Sequence, residues 1–371
     1  MFFHKNSAHP TPLTNPQRIL IVRFSAIGDA VHSLPLAIAL RTRFPQAEIA
    51  WLVEDKTAPI LQGHWALDRL IIIRKKWMKS LANISLLRQR LQSYAPDVTI
   101  DPQGLFKSSF AAWLSGAKYR IGFGGVDARE CSGWLNNCRV VPDADHVIDR
   151  NMQLLQPFGI FGSSISFDLA ECEMDRQNAR NILNREGLHG NFALINVGAG
   201  WPAKLWREDR YAIVARYLLD QWNLPSLVVW GGNTEKAMAE AVVQEADGAA
   251  FIAPSTTLGE LASLCRQATI FIGSDTGPLH IAAAVNTPCI GFYGPVPARR
   301  NGPYGPEHRW IQADPATKER KRPNRTSRHL MDLIEAEQVC ELCDEILAEN
   351  QPQVNGFENR YLDPYQDRRA A

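Results

Sequence analysis

The sequence predicts an α/β protein with two doubly wound halves, each a parallel sheet covered by helices on both faces. The chain has 371 residues, which is long enough for two domains of the usual ~100–200 residues. Short apolar runs rich in β-branched residues alternate with segments whose apolar residues recur at helical spacing, and this alternation occurs in two series. A stretch with glycine and serine at 159–166 separates the two series.

The first series contains the elements of one α/β domain. It opens with an apolar run at 18–24, a turn that contains Gly28, and a helical pattern at 30–45. The further elements predicted here are strands at 48–54, 67–73 and 97–103 and helices at 85–94 and 105–116. Continuous apolar strands of this kind are typical of a parallel sheet that is buried on both faces.

The second series repeats this pattern. Its predicted strands are at 191–198, 226–232, 249–254, 269–275 and 288–294, and its predicted helices are at about 207–222, 234–246, 257–266, 277–285 and 335–349. We therefore expect a disordered arm at 1–17, a first domain at 18–165, a second domain at 166–349 and a disordered tail at 350–371. Ligands of such sheets bind beyond the carboxyl ends of the strands, so the cleft between the halves is the expected site.

The composition argues against several classes of protein. Forty basic and thirty-nine acidic side chains give a net charge of +1, so no global field attracts nucleic acid, and anion recognition has to be local. No run of ~20 apolar residues predicts a membrane span, and the first residues lack the apolar core of a signal peptide. Seven cysteines without paired spacing favour a reducing, cytoplasmic compartment. Cys340 and Cys343 lack a second pair, so no metal site is expected.

The segment SDTGPLHIAAA at 274–284 joins a predicted strand to a predicted helix. Free backbone N–H groups at such a helix start favour an anion, the hydroxyl of Thr276 can donate a hydrogen bond, and Gly277 allows close approach of a phosphate. Asp275 and His280 lie beside them. The alternative is a helix cap, worth ~1 kcal/mol, above a buried histidine. These residues alone do not decide between a phosphate site and a cap.

Three further charged residues follow predicted strands. Lys204 lies in GAGWPAKLWRED and can neutralise a diphosphate oxygen, although a solvated loop lysine has the same pattern. Glu235 in WGGNTEKAMAE can bind the two hydroxyls of a ribose, or act only as a favourable first-turn charge. Asp29 in RFSAIGDAVHSLP can take a proton from an attacking hydroxyl as a general base, with a helix-start charge as the alternative.

Two basic runs add candidate anion sites. Arg74, Lys75 and Lys76 follow a predicted strand, where they suit an anionic acceptor, a membrane face or simply a solvated loop. The run at 318–328 contains six basic groups and is interpreted as a solvated loop that can also lie beside phosphates. Neither run alternates with stacking aromatic residues, so single-stranded nucleic acid is not an expected partner.

Six motifs occur in an order that resembles family 9 of the glycosyltransferases, the lipopolysaccharide heptosyltransferases. They are LIVRFSAIGDAVHSLP, DPQGLFKS, AKLW, WGGNTE, SDTGPLHIAAA and FYGPVPA, and the resemblance covers about residues 18 to 349. DPQGLFKS is most similar to heptosyltransferase I, whereas Ala199, Gly200 and Trp201 before the lysine are nearer heptosyltransferase II. Which core hydroxyl is glycosylated therefore stays open.

The resemblance implies the GT-B architecture, with two facing Rossmann-like domains. It also implies an inverting transfer of L-glycero-D-manno-heptose from ADP-heptose to Kdo-lipid A, without a metal or other cofactor, at the cytoplasmic side and in peripheral contact with the inner membrane. Asp29 would be the general base, Lys204 would contact the diphosphate and Glu235 would hold the ribose. Asp275, Thr276, Gly277 and His280 would complete the donor pocket, and the acceptor would be bound by Arg74, Lys75, Lys76 and Arg129.

Three other functions stay open at the level of sequence. The first is a transferase of the same family that uses a different nucleotide-sugar or a surface-polysaccharide acceptor. The second is a nucleotide-binding module without turnover, in which Asp29 is only a helix charge. The third is a sugar-nucleotide epimerase, which needs no acceptor.

Overall fold

Two parallel six-stranded sheets form the framework of the protein. The computed structural model describes residues 13–313 and 329–350. The basic run at 318–328 lies outside the described residues, as do 1–12 of the expected arm and 351–371 of the expected tail. The predicted α/β class is confirmed, because all neighbouring strands in both sheets run parallel. The domain boundary between 165 and 166 stays a prediction.

The first sheet and its helices come from the first half of the chain. The strands are β1 (Arg18–Val22), β2 (Glu48–Glu54), β3 (Arg69–Ile73), β4 (Val98–Asp101), β5 (Tyr119–Phe123) and β6 (Cys138–Val140). The helices are α1 (Ile27–Val31), α2 (Leu34–Arg43), α3 (Leu81–Tyr94), α4 (Phe106–Leu114) and α5 (Val147–Gln153). The strand order is β3-β2-β1-β4-β5-β6, which places β1 and β4 at the centre.

The second sheet repeats this architecture, preceded by α6 (Glu173–Arg185). The strands are β7 (Ala193–Asn196), β8 (Ser226–Val229), β9 (Ala250–Ile252), β10 (Ile270–Ser274), β11 (Cys289–Tyr293) and β12 (Arg309–Gln312). The helices are α7 (Glu208–Trp222), α8 (Asn233–Glu245), α9 (Leu258–Gln267), α10 (Gly277–Ala284), α11 (Ala298–Asn301) and α12 (Ala336–Glu349). The order is β12-β11-β10-β7-β8-β9, so β7 and β10 are central.

One predicted element differs in kind from the structure. The helical pattern at 30–45 is divided between α1 and α2, which meet at Ser33. Pro35 lies in the first turn of α2, where its missing N–H has no partner to lose, whereas inside a continuous helix the same proline would break a hydrogen bond. The proline therefore begins a new helix here, and α1 ends before it.

The two halves share buried apolar contacts. One apolar cluster extends from Ile21 of β1 through Phe167 to Leu279 of α10, and all three side chains are buried. Helices α1 and α10, which each follow a central strand, pack against one another. The carboxyl ends of β1 and β10 therefore open into the same region of the molecule.

Candidate active site

Two glycines allow α1 and α10 to touch. A Cβ added to Gly28 would lie 2.5 Å from Cδ2 of His280, and a Cβ added to Gly277 would lie 3.1 Å from Ile27. Since real Cβ atoms essentially never come that close to other atoms, any side chain at Gly28 requires the histidine or the helix to move. The absence of a side chain at these two positions brings the carboxyl ends of β1 and β10 together.

The Asp275 carboxylate is the centre of a buried network. Its Oδ2 lies 2.5 Å from Nζ of Lys204, and its Oδ1 lies 3.0 Å from Nε2 of His280. Burial alone would raise the pKa of Asp275, but the hydrogen bonds and charges of His280 and Lys204 outweigh it and lower the pKa. Asp275 is therefore an ionised carboxylate beneath the start of α10.

The helix-cap alternative does not describe these side chains. Thr276 occupies the N-cap position of α10, yet its side chain makes no capping hydrogen bond. Its hydroxyl donates to the carbonyl of Ser274 at 3.2 Å and accepts from the amide of Asn196 at 3.3 Å. The N–H groups at the start of α10 are thus left for a ligand or solvent rather than for Thr276.

Lys204 is not a solvated loop lysine. Its side chain is only 16 % exposed, and Nζ donates to both the carboxylate and the backbone carbonyl of Asp275. Nζ also lies 5.2 Å from the ring centroid of Trp201, in a cation–π arrangement. These contacts hold the ammonium group at the carboxyl end of β10.

Glu235 connects two glycine-containing loops. Its Oε2 accepts a hydrogen bond of 2.7 Å from the N–H of Gly231, and a Cβ on Gly198 would overlap with the carboxylate. Gly232 has φ +88°, a conformation that favours glycine, and this turn directs α8 toward the site. Burial raises the pKa of Glu235, and the N–H groups of Gly231 and Ala199 oppose that rise.

A cavity of about 350 Å³ lies between Glu235 and α10. Backbone of Gly198, Gly200 and Gly231 lines one side, and Thr276 and Gly277 line another. Ala26 and Ile27 of the first half close it. We call this space the glycine cavity. Glycine backbone that a ligand can approach closely, a helix start, one carboxylate and apolar walls suit a nucleotide.

Asp29 lines a second cavity, on the other side of the start of α1. One carboxylate oxygen lies 2.5 Å from Nη2 of Arg23, and the other accepts a hydrogen bond of 3.1 Å from the N–H of Ala26. This second cavity has a volume of about 170 Å³, and we call it the arginine cavity because four arginines line it: Arg23, Arg129, Arg150 and Arg300. Asp29 is thus oriented by fixed partners at the rim of a cationic space.

The charges of the arginine cavity are only partly neutralised. Arg150 is paired with Asp127, and Nη2 of Arg129 donates to the carbonyl of Gln103 at 2.9 Å. Partial burial, followed by the positive charges of Arg150 and Arg129, lowers the pKa of Arg300. Such a concentration of guanidinium groups suits a carboxylate or phosphate.

The structure does not bring the basic run at 74–76 into this cavity. Arg74, Lys75 and Lys76 are exposed after β3, at the same sheet edge as the loop that carries Asp29 but on the outermost strand. They do not line the arginine cavity. Their predicted contact with an acceptor therefore requires a ligand that extends beyond the cavity.

His32 is a site residue that the sequence predictions missed. Its Nε2 lies 3.0 Å from Nδ1 of His280, and both rings are buried. Burial, followed by the charges of His280, His146 and Arg23, lowers the pKa of His32 well below its usual value. Because Asp275 accepts from Nε2 of His280, the network assigns the proton between the two rings to Nε2 of His32.

Two further properties concern the described part of the chain. Within residues 13–313 and 329–350, no group of three or more His, Cys, Asp or Glu side chains is arranged to hold a metal ion. No helix in the same ranges is long and apolar enough to cross a membrane.

The protein has two facing parallel α/β units, with a nucleotide-sized cavity, a cationic cavity and a carboxylate between them. This arrangement defines a two-domain enzyme of the Rossmann-like, GT-B class. The chain belongs to glycosyltransferase family 9, the heptosyltransferase family, whose model matches residues 84–329. The predicted family and the predicted enzyme class are thereby confirmed.

Individual proteins agree with this assignment. Lipopolysaccharide heptosyltransferase 1 of Pseudomonas aeruginosa is 27 % identical over 342 residues, which are 87 % of this chain and 93 % of the relative. The enzyme of the same name from Escherichia coli is 27 % identical over 300 residues, 78 % of this chain and 91 % of the relative.

Solved structures share the fold. A family 9 glycosyltransferase from Veillonella parvula has a TM-score of 0.78 at 22 % identity and covers 90 % of this chain and 98 % of its own. An E. coli heptosyltransferase solved with ADP has a TM-score of 0.69 at 24 % identity, with 90 % and 98 % covered. At these identities the likeness concerns architecture, and it confirms the predicted GT-B fold.

Proposed function

We propose that this protein is an inverting heptosyltransferase that moves L-glycero-D-manno-heptose from ADP-heptose to a Kdo-bearing lipid A acceptor. The observation that carries the proposal is the position of Asp29 between the two cavities. Ala26 and Ile27 line the glycine cavity, and Asp29, two residues further on, lines the arginine cavity. A donor in one cavity and an acceptor in the other would therefore meet at the start of α1.

The glycine cavity is the proposed donor site. Relatives in the family are named lipopolysaccharide heptosyltransferases, and one solved neighbour holds ADP while another holds ADP-2-deoxy-2-fluoro heptose. Glu235 lines this cavity, which supports a role in binding ribose hydroxyls, and its Oε2 accepts from the N–H of Gly231. The free N–H groups at the start of α10 and the ammonium of Lys204 suit the diphosphate.

The arginine cavity is the proposed acceptor site. Kdo is a sugar acid, and lipid A carries phosphates, so both components present anions to the guanidinium groups of Arg129, Arg150 and Arg300. The basic run at 74–76 would bind the acceptor farther from the reacting hydroxyl. We further propose that the enzyme works at the cytoplasmic face of the inner membrane, in keeping with its seven free cysteines.

The proposed chemistry is a single displacement. Asp29 takes the proton of the acceptor hydroxyl, the hydroxyl oxygen forms a bond to the anomeric carbon, and the bond from that carbon to the diphosphate breaks on the opposite face. Negative charge grows on the departing ADP, where Lys204 and the start of α10 stabilise it. Arg23 and the N–H of Ala26 hold the Asp29 carboxylate in a fixed orientation.

The test is transfer between defined substrates. The full chain is incubated with ADP-heptose and Kdo-lipid A, and the lipid is weighed by mass spectrometry, with a gain of one heptose expected. Asp29→Asn keeps the shape of the side chain, retains ADP-heptose binding and lowers kcat by at least ~100-fold. An unchanged lipid mass with the parent enzyme would contradict the proposal.

A second candidate keeps the transferase class and changes the substrates. The loop before Lys204 contains Ala199, Gly200 and Trp201, and two of these residues line the glycine cavity, so they are placed to influence which donor is accepted. A panel of nucleotide-sugars, compared by release of free nucleotide, separates this candidate from the first. A product formed from the nucleotide-sugar without any acceptor would identify a sugar-nucleotide epimerase. Nucleotide binding without turnover would identify a nucleotide-binding module.

A further inference from the structure

The first half of the chain carries a local excess of positive charge. Residues 69–96 contain seven Lys and Arg side chains and no Asp or Glu, although the whole chain has a net charge of only +1. Two of the seven have other partners, because Arg69 pairs with Glu48 and Arg90 donates to the carbonyl of Ile72. The other five are exposed and form no salt bridge within the described chain: Arg74, Lys75, Lys76, Lys79 and Arg88.

A row of aromatic rings lies beside these cations. Phe106, Phe110 and Trp113 recur at helical spacing on α4, and the ring of Phe110 stacks on each of the other two with centroids 5.8 Å apart. Phe106 and Trp113 are exposed. We call these three residues the α4 ridge. Three stacked aromatic side chains on one helix face expose apolar surface that nothing in the described chain covers.

The α4 ridge and the cations belong to one surface. Trp77, which directly follows the basic run at 74–76, stacks on Phe110 with centroids 6.2 Å apart. Helix α3 packs against α4 and adds Leu81 and Leu86, which are 85 % and 55 % exposed. Single exposed leucines are common on protein surfaces, so the informative observation is the larger apolar patch that the α4 ridge exposes.

We propose that the α4 ridge, Leu81 and the five unpaired cations form a docking surface for an anionic lipid bilayer. Lysine and arginine would meet the headgroups, while Trp113, Phe106 and Leu81 enter the interface, where aromatic rings are favoured. Five unpaired cations in a stretch of chain without Asp or Glu suit a negative lipid surface, and they outnumber the exposed carboxylate of Asp55, whose N–H donates to the carbonyl of Ile73 beside the run.

This surface deepens the proposed function and rests on it for its biological meaning. The basic run follows β3 at the sheet edge where β1 leads to Asp29, so docking would turn that edge toward the bilayer. The enzyme would then bind a lipid-linked acceptor while that acceptor is still embedded in the bilayer. Binding to lipid, however, is measured without any sugar substrate.

The test is co-sedimentation of the full chain with lipid vesicles. Vesicles of equal parts phosphatidylglycerol and phosphatidylcholine are compared with vesicles of phosphatidylcholine alone, at low and high salt. We expect binding to the anionic vesicles, little binding to the neutral ones, and weaker binding at high salt because ions screen the cations. No binding to anionic vesicles at low salt would overturn the proposal.

Matched variants locate the surface. Trp113→Ser is expected to weaken vesicle binding several-fold, whereas Trp310→Ser is not, although the two tryptophans are 49 % and 47 % exposed. Lys79→Glu with Arg88→Glu is expected to weaken binding by at least about fivefold per cation, and Arg180→Glu with Arg185→Glu on α6 serves as the charge control. Equal effects of surface and control variants would overturn the proposal. Circular dichroism confirms that each variant is folded.

A transfer assay separates this inference from the proposed function. Trp113→Ser should retain the parent rate on Kdo-lipid A dispersed in detergent and lose rate on the same acceptor embedded in anionic vesicles. If the parent transfers heptose in detergent but ignores vesicles, the docking surface is wrong and the proposed function stands. If the parent binds vesicles through Trp113 but transfers nothing, the proposed function is wrong and the docking surface stands.

Discussion

His32 of the first half and His280 of the second half are joined by a hydrogen bond of 3.0 Å between their rings. His280 in turn binds Asp275, and Asp275 binds Lys204. A continuous chain of four buried or nearly buried side chains therefore extends from the end of the helix that carries Asp29 to the ammonium group of Lys204 at the carboxyl end of β10. The proposed base and the proposed diphosphate site are connected through His32.

We predict that His32 acts as a positioning residue. His32→Ala leaves Nδ1 of His280 without its donor in a buried setting, which costs ~1–3 kcal/mol and is expected to lower kcat by about tenfold or more. His32→Gln restores an N–H donor and should recover most of the rate. Steady-state kinetics with ADP-heptose measure both variants, and a KM effect without a kcat effect would contradict a positioning role.

We predict that the protein loses stability as the pH falls below about 6.5. Burial is the largest cause lowering the pKa values of His32, His64 and His146. The unfolded chain therefore takes up protons at a pH where these folded residues stay neutral, and stability is lost as the pH falls. Thermal unfolding between about pH 7 and about pH 5 measures this loss of stability at pH values above the pKa of most carboxylates. A constant or rising Tm toward pH 5 would contradict the prediction.

We predict that breaking the ion pair between Lys204 and Asp275 lowers the free energy of unfolding, because the pair is buried. Asp275→Asn leaves a lysine charge without its partner in a site where the two side chains are 16 % and 4 % exposed, and we expect a loss of ~3 kcal/mol in the free energy of unfolding. Asp209→Asn is the control, because its pair with Arg207 has the same length of 2.5 Å but lies at the surface. Urea unfolding should show a large effect for the first variant and little for the second.

Arg300 is predicted to bind the acceptor. Arg300→Gln should raise the KM for Kdo-lipid A by about tenfold and leave the KM for ADP-heptose unchanged, since a charge-assisted hydrogen bond is lost. The neighbouring Arg299 provides the control, because it is 80 % exposed and paired with Asp145 outside the arginine cavity. Equal effects of Arg300→Gln and Arg299→Gln would show that Arg300 has no special role.

The sequence predicted the fold where apolar runs are strong and missed it where they are weak. β5 contains Arg120 and Gly122 between its apolar residues, and β6 has three residues, so neither gives a clear strand pattern. Helix α6 buries only Ala179 and Leu183, and most of its other residues are polar, so few apolar residues mark it as a helix. These elements depend on partners elsewhere in the chain rather than on local pattern.

The candidate site was likewise predicted only in part from the sequence. Asp29 and Gly277 follow the central strands β1 and β10, and Glu235 follows β8, where the position after a parallel strand already indicates a ligand. The contact between Lys204 and Asp275 spans 71 residues of sequence, and Arg150 and Arg300 reach the arginine cavity from α5 and α11. An isolated arginine or histidine in such segments resembles any surface or core residue, so its role is visible only after folding.

The missing side chain at Gly28 has a consequence for recombination between family members. His280 occupies the space that a Cβ at position 28 would need, although the two residues come from different halves of the chain. A hybrid enzyme assembled from the first half of one relative and the second half of another takes position 28 from one parent and position 280 from the other. The two halves can therefore be combined only when the residue at position 28 leaves room for the side chain at position 280.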